Sequence, residues 1–589
     1  MRSIFENGHA EKAPPTTDKR ECWYLPIFGI YHPQKPNQLR VVFDSSAKYG
    51  GVSLNDILLT GPDLTNSLSG ILLRFRGEPV AIMGDIQQMF YCFKVDENNR
   101  DFLRFLWYED NDFNKSLTDY HMCVHVFGNS PSPAIATYGL RKTAEMSKEN
   151  YGDDVYNFIC RDFYVDDGIT SLPTPGVAID LMKRTQSALQ TIGNLRLHKI
   201  ASNSEEVMKA FQPFDLTKDL KDLDLSSDTL PVQRSLGLNW DIETDSFMFK
   251  LAKDIKPYTR RGILSTINSV YDPLGFLAPV LIQGKLIQRE LTTGNVDWNE
   301  TLPQSKYEEW ETWKTSLHHL EKVTIQRMCL SRSFSDTVDK KLHIFSDAPE
   351  KAIAAVAYFT SVRHSSIGFV LGKAKVAPTH GHSIPRLEPC AAVLATEIGQ
   401  TISDNLDIPF NSIQYHTDSM VVLGYISNEK RRFYTYVSNR VAKIRQLSQP
   451  EQWTYVPTDK NPTDLATRAI PAADLQQSSW LLGPKQLLGK ESILESFELQ
   501  NPEEDKENRP EIVCAKSIAS KESLLGTHRF ESFSFWKRLV NAITYIKRIL
   551  GARANLPKID YLQIEKEAEN SIIKEAQKDM SLKNSHASV

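Results

Sequence analysis

The sequence predicts a multidomain α+β protein, and three observations carry that reading. Its 589 residues are about four times the length of an ordinary domain. Apolar, β-rich runs that end in a carboxylate recur along the chain: Val80 to Asp85, Phe163 to Asp167, Leu342 to Asp347 and Ile413 to Asp418. Between them lie stretches of helical period, among them 176–193 and the segment opening at Pro385. Hydrophobic residues make up 41% and aromatics 10%, which suits well-cored modules and excludes a disordered chain. With 69 basic and 73 acidic residues the net charge is −4, so any nucleic-acid contact has to come from local grooves. Seven cysteines without a CxxC pair argue for an intracellular chain with no disulfide framework and no zinc ribbon. Met1 to Glu6 lacks a signal-peptide core, and no apolar run approaches the ~20 residues of a membrane span. A soluble protein without a membrane partner is expected.

Phe163-Tyr164-Val165-Asp166-Asp167-Gly168 reads as a hairpin with Asp166, Asp167 and Gly168 at its tip. Asp-Gly is itself a turn signal, so the hexapeptide alone is more readily a turn than a site. The strand Val80 to Asp85 changes the weighing, because two strands that each bring an acid to one sheet end can hold a pair of hard cations. Two Mg²⁺ roughly 4 Å apart are what an in-line phosphoryl displacement uses.

Tyr164-Val165-Asp166-Asp167, with Asp85 upstream, resembles the palm of a reverse transcriptase. Three further segments resemble the Pao (BEL/Pao) family of LTR retrotransposon polyproteins. They are Leu39 to Asp44, Val52-Ser53-Leu54-Asn55-Asp56, and Tyr271-Asp272-Pro273-Leu274-Gly275-Phe276-Leu277-Ala278-Pro279. The resemblance runs from about Ile4 to the end of the chain. It implies reverse-transcriptase fingers, palm and thumb, then an RNase H-like α/β domain and a helical C-terminal tail. The expected divisions are a flexible lead-in over 1–22, fingers and palm over 23–245 with the fingers incomplete, and a thumb or connection over 246–335. The RNase H-like domain is expected over 336–485, a linker over 486–528, and the start of a truncated integrase region over 529–589.

The resemblance assigns roles residue by residue. Asp85, Asp166 and Asp167 would be the catalytic, metal-binding acids of the palm. Arg40 falls where a basic residue contacts the triphosphate, and Phe90 where a ring crowds a ribose 2′-hydroxyl. Phe127 opens a loop-to-helix motif under the template base pair, at a position where many reverse transcriptases have Gln. Lys199 falls where a lysine steadies the leaving pyrophosphate. Leu236, Gly237 and Trp240 resemble the primer grip. Arg40 and Lys199 have a plainer reading as exposed cations, and Phe90 as a core aromatic. His121, Cys123 and His125 alternate on one strand face but have no fourth ligand at sensible spacing, which favours a structural role.

A second set of acids follows in the order Asp347, Glu388, Asp418, Asp464, each at an element end. Helix capping accounts for one such acid, and poorly for four. The order resembles an RNase H domain, whose metals activate water against RNA. Asp459 stands where some retroviral relatives have His, which puts product release or water handling in question. Residues 500–511 form a charged, Pro-bounded linker, and 530–550 an amphipathic helix with Lys537, Arg538, Lys547 and Arg548 among its apolar residues. No Asp-Thr-Gly or Asp-Ser-Gly occurs, so proteolysis is not predicted, and no integrase zinc module follows.

The implied function is RNA-directed DNA polymerisation joined to RNase H cleavage. Two Mg²⁺ per site are expected, with Mn²⁺ as a substitute. The implied partners are an RNA template, a DNA primer, the RNA–DNA hybrid, dNTPs and the rest of the polyprotein, protease and integrase. The setting would be cytoplasmic, in a virus-like particle, or nuclear. Two other readings stand beside it. One is an inactive or domesticated fragment that binds nucleic acid or assembles with partners. The other is an RNA-dependent RNA polymerase, which has no use for an RNase H module.

Overall fold

The computed structural model describes residues 1–15, 21–32, 35–217, 232–235, 238–251, 256–292, 297–361, 363–378, 383–488, 497–499, 504–509, 527–553 and 560–586. It divides into two compact units, Met1–Arg509 and Pro510–Val589. The first is the mixed helix-and-strand, multidomain fold that the sequence predicts, and it carries both carboxylate sets.

The chain begins packed rather than loose. A helix at Arg2–Glu6 leads to a strand at Ala10–Lys12, which pairs antiparallel with Leu117–Met122. Ile4 is buried against Phe105 and Met122 in a separate fingers core. The flexible lead-in expected over 1–22 is therefore corrected for residues 1–15: an apolar Ile4 and a strand-forming run tie them down. A hairpin of Ile27–His32 and Lys35–Phe43 follows, carrying Arg40.

The palm is a four-stranded antiparallel sheet. Its strands are β1 (Val80–Ile86), β2 (Phe163–Tyr164), β3 (Asp167–Leu172) and β4 (Leu197–Ser202), in the order β4-β1-β3-β2. β1 is buried on both faces because helices cover the sheet, which is why it reads as a continuous apolar run. One covering helix is Pro175–Gly193. Thr174 accepts the Val177 N–H at its start, and Asn194 closes it in the left-handed region.

Beyond the palm, Val232–Ser235, Leu238–Asp241, Ser246–Met248 and Thr324–Gln326 form a second four-stranded sheet. Helices Arg260–Ser269, Ala278–Leu291 and Tyr307–Ser316 lie between its third and fourth strands in sequence. Asp272 caps the turn before Ala278 by accepting the Phe276 and Leu277 N–H groups at 2.9 and 2.7 Å.

The third sheet has β5 (Lys340–Asp347), β6 (Ala352–Ser361), β7 (Ser366–Val376), β8 (Ile413–Thr417) and β9 (Trp453–Tyr455) in the order β7-β6-β5-β8-β9. The first three strands run antiparallel, while β8 and β9 run parallel to β5. The helix Ile384–Leu406 makes the crossover to β8 and buries Leu387, Ala391, Leu394, Ile398 and Ile402 at helical spacing. In the second unit, helices Trp536–Arg553 and Tyr561–His586 bury Leu539, Val540 and Ile572 together.

Two candidate active sites

In the palm, strand register gathers the acids. Asp167 pairs directly with Asp85 across β3 and β1. The turn between β2 and β3 is Val165-Asp166, because Tyr164 pairs with Asp167 and Phe163 with Gly168. This corrects the expected tip of Asp166, Asp167 and Gly168: Asp-Gly lies in the strand, so it does not serve as the turn signal. Val165 takes φ 58°, a costly region for a β-branched residue, and the turn it makes presents Asp166 beside Asp85. The Asp166 carbonyl accepts the Ile86 N–H at 2.8 Å. Gly168 has no room for a side chain, since a Cβ there would lie 2.5 Å from the Phe163 ring.

The three carboxylates sit in unequal fields. Burial works against the charge of Asp85, but His198 Nε2 at 3.1 Å and Lys199 Nζ at 2.7 Å outweigh it and hold the carboxyl below its ordinary range. Asp166 is pushed up by burial and by the Asp85 charge. Burial and both neighbouring acids push Asp167 up to about 7. Lys199 therefore pairs with Asp85 in this structure. His198 was missed by sequence reasoning, although it adjoins Lys199. In a regular strand the two would face opposite sides. Lys199 has φ 51°, and the β4 register slips between His198 and Ala201, so both side chains reach one carboxylate.

Three predicted nucleotide contacts come together. The Arg40 guanidinium lies over the Phe127 ring at 4.4 Å, and the Phe127 and Phe90 rings meet edge-on with centroids 5.8 Å apart. The Arg40 charge is felt at Asp166. The loop bearing Phe127 is fixed by a residue to which the sequence assigned no role beyond its family motif: Asn55 donates to the Gly128 carbonyl at 2.9 Å and accepts the Ser130 N–H at 2.9 Å. Of the primer-grip residues, Leu236 and Gly237 lie outside the described residues. Trp240 is corrected to a core residue: it is fully buried, packs against Phe75 and donates Nε1 to Asp245 at 2.9 Å.

The second set converges in the third sheet. Ser346 pairs with Thr417, so Asp347 and Asp418 leave the same ends of neighbouring parallel strands. Glu388 comes from the crossover helix and Asp464 opens the helix Asp464–Arg468. Glu388 is pushed up to about 9 by burial and by the Asp347 and Asp418 charges. Asp347 rises to about 6 through burial and the charges of Asp418 and Asp464, against the Thr467 hydroxyl that donates to it at 2.7 Å. Burial also raises Asp464, opposed by Arg468, which pairs with it at 2.6 Å. Asn461, likewise not anticipated, donates to the Ser346 carbonyl at 3.1 Å and anchors the loop carrying Asp464.

Both centres fit divalent cations. Glu388 Oε2 and Asp418 Oδ1 are buried without a hydrogen-bond partner, an arrangement that costs free energy until a cation fills it. In the palm, two raised carboxyls face an ionised third. Oxygen donors of this kind suit Mg²⁺.

A reverse-transcriptase-like palm followed by an RNase H-like sheet defines the class of fold. Residues 259–419 match the family model described as Pao retrotransposon-like RNaseH-like domain, in keeping with the resemblance read from the sequence. That match ends just past Asp418 and takes in helices at 259–335 that the sequence reading assigned to a thumb or connection. The helix Ala278–Leu291 in fact packs against the third sheet: Arg289 donates to the Ala377 carbonyl at 2.8 Å, and Gly372 donates to that of Leu274 at 2.9 Å. Among solved structures, the chain is similar to a foamy viral protease-reverse transcriptase dRH in complex with double-stranded DNA. The identity is 13% and the TM-score 0.50, over 77% of this chain and 68% of that one. A foamy viral protease-reverse transcriptase with an RNA/DNA hybrid is matched at 13% identity and TM-score 0.47, over 78% of this chain and 52% of that one. No curated protein matches the chain.

Proposed function

We propose that the chain is an RNA-directed DNA polymerase with RNase H activity, copying retrotransposon RNA into DNA and degrading the RNA of the hybrid. One observation carries the reading: two separate sets of carboxylates are each delivered to the end of a sheet, in fields that favour bound cations. Asp85, Asp166 and Asp167 would hold one pair of Mg²⁺, and Asp347, Glu388, Asp418 and Asp464 another. Bound there, the cations would supply charge neutralisation and a more nucleophilic oxygen.

The chain's own residues do the rest. Lys199 and His198 keep Asp85 ionised and fix both its oxygens. A primer 3′-hydroxyl placed beside Asp166 would lose its proton to solvent and attack the α-phosphate of a dNTP in line, the new P–O bond forming as the bond to the leaving pyrophosphate breaks. Arg40, seated on Phe127, would meet the triphosphate, and the edge of Phe90 would crowd a 2′-hydroxyl. In the second centre, Thr467 orients Asp347, and the partly exposed side chain of Asp464 (26%) would admit the hydrolytic water.

Primer extension on poly(rA)–oligo(dT) with Mg²⁺ tests the reading. Asp166→Asn is expected to reduce extension by about a hundredfold or more, with hybrid-RNA degradation spared. Asp418→Asn should do the reverse. Normal extension by the Asp166 variant would remove the polymerase assignment, and loss of both activities in either variant would contradict two separate sites. A wild-type chain inert in both assays would leave the binding or assembly module.

A further inference from the structure

Away from both carboxylate centres, Glu11, His121 and Cys123 each offer a donor atom, and these atoms all lie within 4.8 Å of one another. Register explains how. Glu11 sits in the strand Ala10–Lys12, directly opposite His121. Cys123 follows two residues later, its backbone N–H held by the His9 carbonyl at 2.8 Å. Sequence spacing shows the His and the Cys. The third donor arrives from a strand 110 residues away.

His121 is buried, and its Nε2 lies 2.9 Å from Glu11 Oε1. Its other ring nitrogen, Nδ1, faces Asp101 Oδ1 at 3.5 Å, and Arg104 grips that carboxylate at 2.7 and 2.9 Å. His121 Nδ1 is buried without a hydrogen-bond partner, and the carboxylate beside it is Asp101, the kind of group on which a metal-bound imidazole regularly holds its second nitrogen. Arg100 donates to the same Oε1 of Glu11 at 2.8 Å, and the Glu11 side chain is half exposed, so solvent reaches the group.

We propose that Glu11, His121 and Cys123 form a Zn²⁺ site, with water as the fourth ligand. Sulfur, nitrogen and oxygen donors together suit zinc, whereas Mg²⁺ demands an octahedron of oxygens. Binding would displace the Cys123 thiol proton to solvent as the Zn–S bond forms. The ion would clamp the N-terminal strand to Leu117–Met122, stabilising the fingers without touching the catalytic carboxylates.

The test uses the full chain, stripped with chelator and titrated with Zn²⁺ or Co²⁺ in excess Mg²⁺. We expect about one Zn²⁺ retained per chain, a higher thermal midpoint, and a near-ultraviolet thiolate-to-cobalt band with Co²⁺. Cys123→Ser, checked by circular dichroism to be folded, should abolish the band and weaken Zn²⁺ binding on the order of tenfold or more. Glu11→Gln should keep the band and weaken binding similarly. Absence of the band in wild type, displacement of Zn²⁺ by Mg²⁺, or unchanged Zn²⁺ binding by the Cys123 variant would each overturn the proposal.

Discussion

Glu388 shows most directly how a single side chain is conditioned by its neighbours. Its folded carboxyl titrates near 9, far above the ordinary Glu value, because burial and two acids disfavour its charge. A raised carboxyl contributes stability that is full below the unfolded value and is lost as pH rises towards the folded one. In chelator, then, stability should fall between about pH 4.5 and 9. Glu388→Gln should gain roughly 1–3 kcal/mol at pH 8 without divalent cation and lose RNase H activity, read by denaturant melts and hybrid cleavage. His343 titrates in the opposite sense. Burial lowers it to about 4, and it shares a 3.0 Å hydrogen bond with His416, itself lowered by burial and bonded to Thr454. A lowered histidine contributes stability that is present above its ordinary value of 6.5 and is lost as pH falls from there to about 4. His343 alone should cost about 1.4 kcal/mol per pH unit in that window. His343→Phe should flatten the slope in acid melts.

At the scale of elements, what shapes the proposed polymerase centre is how loops are tied to strands. Asn55 sits at the second position of the short helix Leu54–Ile57, whose cap is a reciprocal Ser53–Asp56 box. From there it bridges to Gly128 and Ser130 and so fixes the loop beneath Phe127. Asn55→Ala should cost about 1–3 kcal/mol and raise the KM for dNTP more than it lowers kcat, because Phe127 and Arg40 lose their seat. An equal effect on RNase H cleavage would show a global defect instead. The motif Val52 to Asp56 stood out in the sequence only as a family feature. Its bond to a loop more than seventy residues away belongs to tertiary structure.

Over the first unit as a whole, polymerase and nuclease folds share one hydrophobic core, running from Ile71 in the palm to Leu481 beyond the third sheet. Two buried arginines lock them. Arg76 donates to the carbonyls of Arg327, Phe369 and Val370 at 2.8–3.0 Å, the last two on β7. Arg327 bonds Asp245 at 2.7 Å and the carbonyls of Glu78 and Pro79. Arg76→Ala would orphan three buried acceptors and should cost about 3–5 kcal/mol, lowering both activities together in a thermal challenge. Neither arginine was legible beforehand, since a chain-wide staple leaves no local pattern. The strands ending in acids, the helical stripe of 384–406 and the Asp-Glu-Asp-Asp order were all readable, because periodicity and element ends are local properties of a chain. The sequence by itself thus determined the kinds of element and the acids they carry. Only the tertiary structure decided that Asp167 faces Asp85, that His198 and Lys199 both reach that carboxylate, that Trp240 is core, and that Glu11 meets His121. Each of those depends on a register or a left-handed residue set by contacts far along the chain, where the free energy of burial is shared among segments that no window of sequence contains.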